Sequence, residues 1–294
     1  MCAGPRGRPP SSRGHAMSYR TVLVHADLSR HAAGRIRLAA QLAKTHDAHL
    51  IGVAATGVSR DIFPHGYEAA SGSFEASYFD PLHGNATRSL AHFNDIAKAA
   101  DISHEARLVW DLASDALARQ GRFSDLIVVN QDDLDEALAE TIGRIPEYVA
   151  FTSACPVLVV PCAPVTQQPA QHVLVAWNGS KEASAAMHAA IPLLQRAARV
   201  SVVSFHSRDD TDMKDLHYQA DLATFLARHD VSAEILALDR DIDGGHALLV
   251  MAGQEAYDLI VMGCYGHSQF RELFLGGVTR TVLSGATVPV LMAR

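Results

Sequence analysis

Hydrophobic positions along this chain come in short unbroken runs rather than in alternation. Arg20-Thr-Val-Leu-Val-His-Ala-Asp27, Ala48–Ala55, Asp125-Leu-Ile-Val-Val-Asn130 and Cys155-Pro-Val-Leu-Val-Val-Pro161 are four of them. Runs of Val, Ile and Leu without a polar face predict strands covered on both sides, the pattern of a parallel sheet. Between them lie stretches with helical patterning and small residues, over 30–45 and 181–196. The third helix of each half is predicted at Asp111–Gln120 and Gly244–Ala256. Strands alternating with helices predict right-handed crossovers and an α/β fold.

The pattern occurs twice. His172-Val-Leu-Val-Ala-Trp-Asn178 repeats Arg20–Asp27, and Arg199–His206 repeats Ala48–Ala55, both at a shift of 178 − 27 = 151 positions. Asp258–Gly263 repeats Asp125–Asn130, and Val288–Arg294 repeats Cys155–Pro161, at a shift of 133. The first half therefore carries 151 − 133 = 18 additional residues after its second strand. They fall in Gly57–Pro81, read as a Gly- and Ser-containing loop with Phe63, Tyr67, Phe74, Tyr78 and Phe79. Each half reads β-α-β-α-β-α-β-α-β. This predicts a tail over 1–18, a first domain over 19–161, a polar linker with two internal prolines over 162–171, and a second domain over 172–294.

Composition narrows the function classes. Of 294 residues, 48% are hydrophobic and 19% charged, enough apolar surface for real cores and too much for a disordered chain. The formal charge is 25 − 32 = −7, so no overall attraction draws the chain to nucleic acid or to an anionic membrane. No apolar run reaches the roughly 18 residues of a membrane span. The first sixteen residues lack the apolar core of a secretory signal and read as a tail or as sequence upstream of a start at Met17. Cys2, Cys155, Cys162 and Cys264 have neither a zinc-ribbon nor a disulfide spacing, which places the chain in reducing cytosol.

The candidate chemistry lies after the fourth strand of the second half: Gly263-Cys-Tyr-Gly266-His-Ser-Gln-Phe-Arg-Glu-Leu-Phe-Leu-Gly276-Gly277-Val278-Thr279. This is neither a dinucleotide fingerprint nor a P-loop. Glycines at the carboxyl end of a parallel strand still let backbone N–H groups approach an anion, and the next helix N-terminus adds partial positive charge. In open α/β sheets that edge binds ligands.

The spacing G-x2-G-x9-G between the fourth and fifth strands resembles the ATP-binding class of universal stress proteins. The resemblance runs from Tyr19 to the end of the chain, as two tandem family domains. It implies two Rossmann-like, five-stranded parallel sheets of the adenine nucleotide alpha hydrolase-like class, joined as an intramolecular pseudo-dimer. A homodimer is a further assembly that it allows. It implies ATP as the ligand, with or without Mg2+. Gly263, Gly266, Gly276, Gly277 and Val278 would line the phosphate and ribose site. Asn178 would sit beside the nucleotide, and the main chain around Val203 and Ser204 would meet the adenine. Gly277 stands where the family has Ser or Thr, with Thr279 close by, and Asn178 stands where it often has Asp.

The first half has lost this loop. Asn130, Asp133, Arg144 and Pro146 replace Gly263, Gly266, Gly277 and Thr279, and only Gly143 matches a glycine, Gly276. The acids of Asn130-Gln-Asp132-Asp133-Leu-Asp135-Glu136 would repel a triphosphate. They read as a solvated loop capping the next helix, with a metal site as the minor alternative. Asp27 keeps the family's acid. Sixteen histidines are scattered without a metal-binding spacing, so no metal ligand is assigned. His267 lies inside the glycine loop and is a candidate phosphate contact. Cys264 reads as a small buried filler, Trp110 and Trp177 as packing, and Arg271 and Arg280 as phosphate partners or surface pairs.

No nucleophile–base–acid set stands out. The expected function is an adenine-nucleotide-binding stress-response or signalling module. A weak ATPase and a scaffold acting through protein partners remain the alternatives. Three structural expectations follow: the last strands of the two halves pair, the second half alone holds nucleotide, and the aromatic insert folds over the vacant site of the first half.

Overall fold

A computed structural model describes residues 17–59, 61, 73–133, 135, 144–165, 170–206, 213–239, 243–264 and 277–294. The side chains of 73–78, 205–206, 213–218 and 239 are outside that description. The first half contributes β1 (Thr21–His25), α1 (Ala32–His46), β2 (His49–Ala55), α2 (Ser73–Ala99), β3 (His104–Val109), α3 (Ala113–Gln120), β4 (Leu126–Asn130), α4 (Ile145–Thr152) and β5 (Val157–Val160). The second contributes β6 (His172–Trp177), α5 (Lys181–Leu194), β7 (Arg199–His206), α6 (Met213–Arg228), β8 (Glu234–Asp239), α7 (Gly244–Gln254), β9 (Leu259–Gly263), α8 (Gly277–Gly285) and β10 (Val290–Ala293).

All ten strands form one sheet in the order β3-β2-β1-β4-β5-β10-β9-β6-β7-β8. Neighbours within each half are parallel. The halves meet at the one antiparallel pair among the described residues, β5 with β10, where Val159 faces Val290, Leu158 faces Leu291 and Val157 faces Met292. This is the pairing of final strands that the sequence predicts. Each apolar edge hides the other, so neither is left open to another chain.

Both faces of the sheet are covered, which explains the absence of alternation. Val22, Val24, Leu126 and Val128 pack towards α1, α2, α5 and α6. Leu23, Ile127 and Val129 pack towards α3, α4, α7 and α8. The two layers are separate cores on opposite sides of one sheet.

One expectation is corrected. Gly57–Pro81 is not a loop throughout, because α2 begins at Ser73 and carries Pro81 inside it. A helix interior tolerates proline poorly, at about 3 kcal/mol, so the sequence pattern places the helix start after it. Residues 62–72, with Phe63 and Tyr67, and the side chains of Phe74 and Tyr78 lie outside the described residues, and with them the expected lid.

Candidate functional site

Each half has its switch point where the strand order reverses, at β1/β4 and at β6/β9. Ligands of open α/β sheets bind beyond the carboxyl ends of the strands at that point. In the second half a cavity of about 270 Å3 lies there. Asn178 at the end of β6, Gly263 at the end of β9, and Gly277, Val278 and Thr279 at the start of α8 all line it.

Local sequence builds this edge. Asn178 Oδ1 accepts the Ser180 N–H at 3.1 Å, and Gly179 between them has φ +73°, a left-handed turn that suits glycine. Ser180 then caps α5, its hydroxyl accepting the Ala183 N–H at 3.1 Å. Asp243 caps α7 by accepting the Gly245 N–H at 3.0 Å. Gly245 lets α7 and α8 meet: a Cβ there would stand 2.9 Å from Thr281 Cβ and 3.2 Å from Val278 Cα. The first turns of α5, α7 and α8 all contribute to the cavity wall. Each helix start carries partial positive charge, which the Asp243 carboxylate offsets at α7 and Glu182 at α5, so the start of α8 is the part of the wall that most favours an anion.

Gly263 has a second reason to be glycine. A Cβ there would lie 2.5 Å from the Ala183 N and from the Glu182 carbonyl carbon. The end of β9 is pressed against the first turn of α5, and only a bare backbone fits. Gly277 differs, since a Cβ there meets none of the described residues within 4 Å.

The structure brings together five of the predicted residues: Asn178, Gly263, Gly277, Val278 and Thr279. Gly266, His267 and Gly276 lie outside the described residues. Val203 and Ser204 pair with Ala176 and Trp177 on the neighbouring strand, are buried, and are not part of the cavity wall. Sequence reasoning missed Ser180, Glu182 and Gly244, which do line it. Asn-Gly-Ser and Asp-Gly-Gly were the available signals, each a cap before a helix. Trp177, read as packing, also borders the cavity. Glu182 is 3% exposed, one carboxyl oxygen 3.5 Å from Lys181 Nζ and the other without a partner. Burial pushes its carboxyl up, but its own backbone N–H and Lys181 outweigh that and hold it below the ordinary glutamate value. Cys264 is fully buried, and burial pushes its thiol up to about 12, so it is a packing residue and not a nucleophile.

At the matching edge of the first half the polar side chains pair with one another. Arg35, 1% exposed, forms an ion pair with Asp27 at 2.9 Å, donates to the His25 carbonyl at 2.8 Å and donates to Asn130 Oδ1. The repeat puts Ala186 at the position of Arg35 and Gly263 at that of Asn130. The second half has a methyl group and bare backbone where the first holds a guanidinium and an amide. Asp27 also accepts the Ser29 N–H and hydroxyl at 3.0 and 2.6 Å. Burial raises its carboxyl, but His25, Arg35 and these hydrogen bonds hold it well below the carboxylate range.

Burial also lowers His25 to about 4, with Asp27 opposing and Arg35 adding to the shift. His46 is lowered to about 4, by burial and then by Arg196. The unfolded chain protonates these rings near 6.5. Their neutral folded state is thus fully stabilising above that pH, and the stability is lost as pH falls towards 4. Each ring contributes up to about 3 kcal/mol to the loss. Urea midpoints at pH 7 and pH 5 will differ in favour of pH 7, and His25→Gln will narrow the difference. Equal midpoints would show that both rings take up protons in the folded state.

Fold and site together define the class: an α/β chain of two five-stranded parallel halves with a cavity at the switch point of the second. Residues 169–294 match the model of the Universal stress protein family. No curated protein matches the chain. Among solved structures, a universal stress protein from Archaeoglobus fulgidus DSM 4304 superposes at a TM-score of 0.70 with 17% identity, over 93% of this chain and 98% of that one. A putative universal stress protein from Pseudomonas aeruginosa UCBPP-PA14 superposes at 0.58 with 18% identity, over 94% and 93%. These likenesses show the shared fold across both halves. Among the described residues no helix is long and apolar enough to cross a membrane.

Proposed function

We propose that the chain is a tandem universal stress protein, with domains at 19–161 and 172–294, whose second domain binds an adenine nucleotide, ATP first. The observation that carries this reading is the convergence of three helix N-termini on the cavity at the β6/β9 switch point. The glycine spacing from Gly263 to Gly276 and the family match over 169–294 support it. Backbone N–H groups of 277–279 and the Thr279 hydroxyl are the phosphate donors available at this edge. The donor set suits Mg2+ less well than phosphate: Asn178 Oδ1 is already engaged by Ser180, and Glu182 is the one carboxylate on the wall among the described residues. The first domain does not bind on this reading, because Asn130, Asp133 and Arg144 stand where the second has Gly263, Gly266 and Gly277.

Calorimetric titration with ATP, ADP and AMP tests the reading, with an expected stoichiometry of about one per chain. Gly277→Asp is the informative variant. A Cβ there meets none of the described residues, and an acid at a helix start is compatible with stability, worth a few tenths of a kcal/mol or more. Its carboxylate would take the anion's place, so the variant will melt like the parent and lose nucleotide binding. Two equivalent sites, or full affinity in Gly277→Asp, would refute the assignment.

A further inference from the structure

The first half retains chemistry-bearing residues at its carboxyl edge that the nucleotide reading does not use. His31 immediately precedes α1, Asp133 follows β4, and Cys162 follows β5. The fold brings one nitrogen, one oxygen and one sulfur donor of these residues within 4.8 Å of one another. We propose that His31, Asp133 and Cys162 form a binding site for a borderline transition-metal ion, Zn2+ in the first instance.

The donor set sets the metal class. Imidazole, carboxylate and thiolate together suit Zn2+ and similar ions, whereas Mg2+ and Ca2+ want oxygen alone. Tetrahedral Zn2+ holds N and O at about 2.0–2.2 Å and S at about 2.3 Å. Donor atoms at those radii stand closer together than 4.8 Å, so the three side chains need only small adjustments.

The hydrogen bonds at the cluster show where positive charge gathers. His31 Nε2 lies 2.7 Å from Asp133 Oδ2, and Arg30 Nε lies 2.7 Å from the same oxygen. With Nε2 protonated, both groups donate to Oδ2, so the carboxylate is satisfied by two N–H donors. A metal ion that displaces the Nε2 proton would take the lone pairs of Nε2 and Oδ2 in their place. Arg30 supplies part of that positive charge by pairing with Asp133. Its side chain is 54% exposed and has Asp135 Oδ2 at 3.7 Å, an alternative partner once a metal takes its place.

The surroundings hold the donors in position. Asp133 Oδ1 accepts the Asp135 N–H at 3.0 Å, which leaves Oδ2 for the cluster. The Cys162 N–H donates to Gln131 Oε1 at 3.1 Å. Such outer contacts orient ligands before the metal arrives. His31 and Cys162 both line a cleft of about 860 Å3, which provides a path in and room for a fourth ligand from water. The repeat places Gly266 at the position of Asp133 and Glu182 at that of His31. Where the second half offers bare backbone, the first offers a carboxylate with nitrogen and sulfur beside it.

The experiment uses the full chain, stripped with chelator and titrated with Zn2+ and with Co2+. One equivalent of Co2+ should bind with a thiolate-to-metal charge-transfer band in the near ultraviolet. Cys162→Ser should abolish that band, and both it and His31→Gln should weaken Zn2+ by at least about tenfold. Arg30→Gln should tighten Zn2+, because it removes the competing cation. Cys2→Ser and Cys155→Ser serve as controls and should retain the band. Thermal melting keeps the test independent of folding: Zn2+ should raise the midpoint of the parent and not that of Cys162→Ser. A parent that binds no stoichiometric metal, a charge-transfer band that survives Cys162→Ser, or an Arg30→Gln variant with weaker Zn2+ binding would each overturn the proposal.

Discussion

Arg35→Met will lower the stability of the chain by about 3 kcal/mol at pH 7, a large share of a domain's total. The methionine fills a similar volume, so packing changes little and electrostatics decides the outcome. Asp27 loses its partner 2.9 Å away while remaining 70% covered, and the His25 carbonyl and Asn130 Oδ1 each lose a charged donor. Leaving such groups unpaired costs more than an intact pair contributes. Urea unfolding will show the drop as a lower midpoint at unchanged slope. The Arg35→Met/Asp27→Asn double variant will recover part of it, since the stranded charge is gone. A loss below about 1 kcal/mol would mean that water reaches Asp27 and supplies what the guanidinium did. Either way nucleotide affinity should not change, because the second half contributes nothing to this network.

The repeat, the strand positions and the pairing of final strands were all legible in the sequence. A strand buried on both faces favours apolar residues at successive positions, so Val22–Val24 and Val173–Val175 announce themselves as unbroken runs. The edge pairing followed from the same logic at Pro156–Pro161 and Pro289–Arg294. The start of α2 was not legible, because Pro81 reads locally as a helix end, whereas the helix runs through it from Ser73. The cavity was half legible. Glycine spacing and Asn178 pointed to the edge where this cavity lies, but the wall is built from helix first turns, so Ser180, Glu182 and Gly244 line it while Val203 and Ser204 do not. The fate of the first half lay in Arg35, a charged residue in an otherwise ordinary helix. Its burial depends on Asn130, 95 positions away. His31, Asp133 and Cys162 are likewise separated by 102 and 29 positions, and no local spacing could have joined them.

Leu291→Asp will have the largest effect of any single change at the seam, on the order of 4–5 kcal/mol. Leu291 and its cross-strand partner Leu158 are 0% and 1% exposed, with Val157, Val159, Val290 and Met292 at 2% or less around them. A carboxylate there has neither water nor a described basic partner, and protonation only reduces the penalty to that of an unpaired polar group. Beyond the ladder, Gln131 Nε2 donates to the Leu283 carbonyl at 2.7 Å, Tyr19 donates to the Ala189 carbonyl at 2.7 Å, and the Arg294 guanidinium sits 4.1 Å over the Phe151 ring. Both hydrophobic cores also run across the seam, so a charge at its centre weakens packing in both halves. The variant will therefore unfold at much lower urea. Leu158→Ala provides a milder probe of the same pair, with a cavity cost of about 2–5 kcal/mol and no buried charge. If Leu291→Asp unfolds in a single transition at the parental midpoint, and Leu158→Ala does the same, the ten strands do not form one continuous sheet in solution.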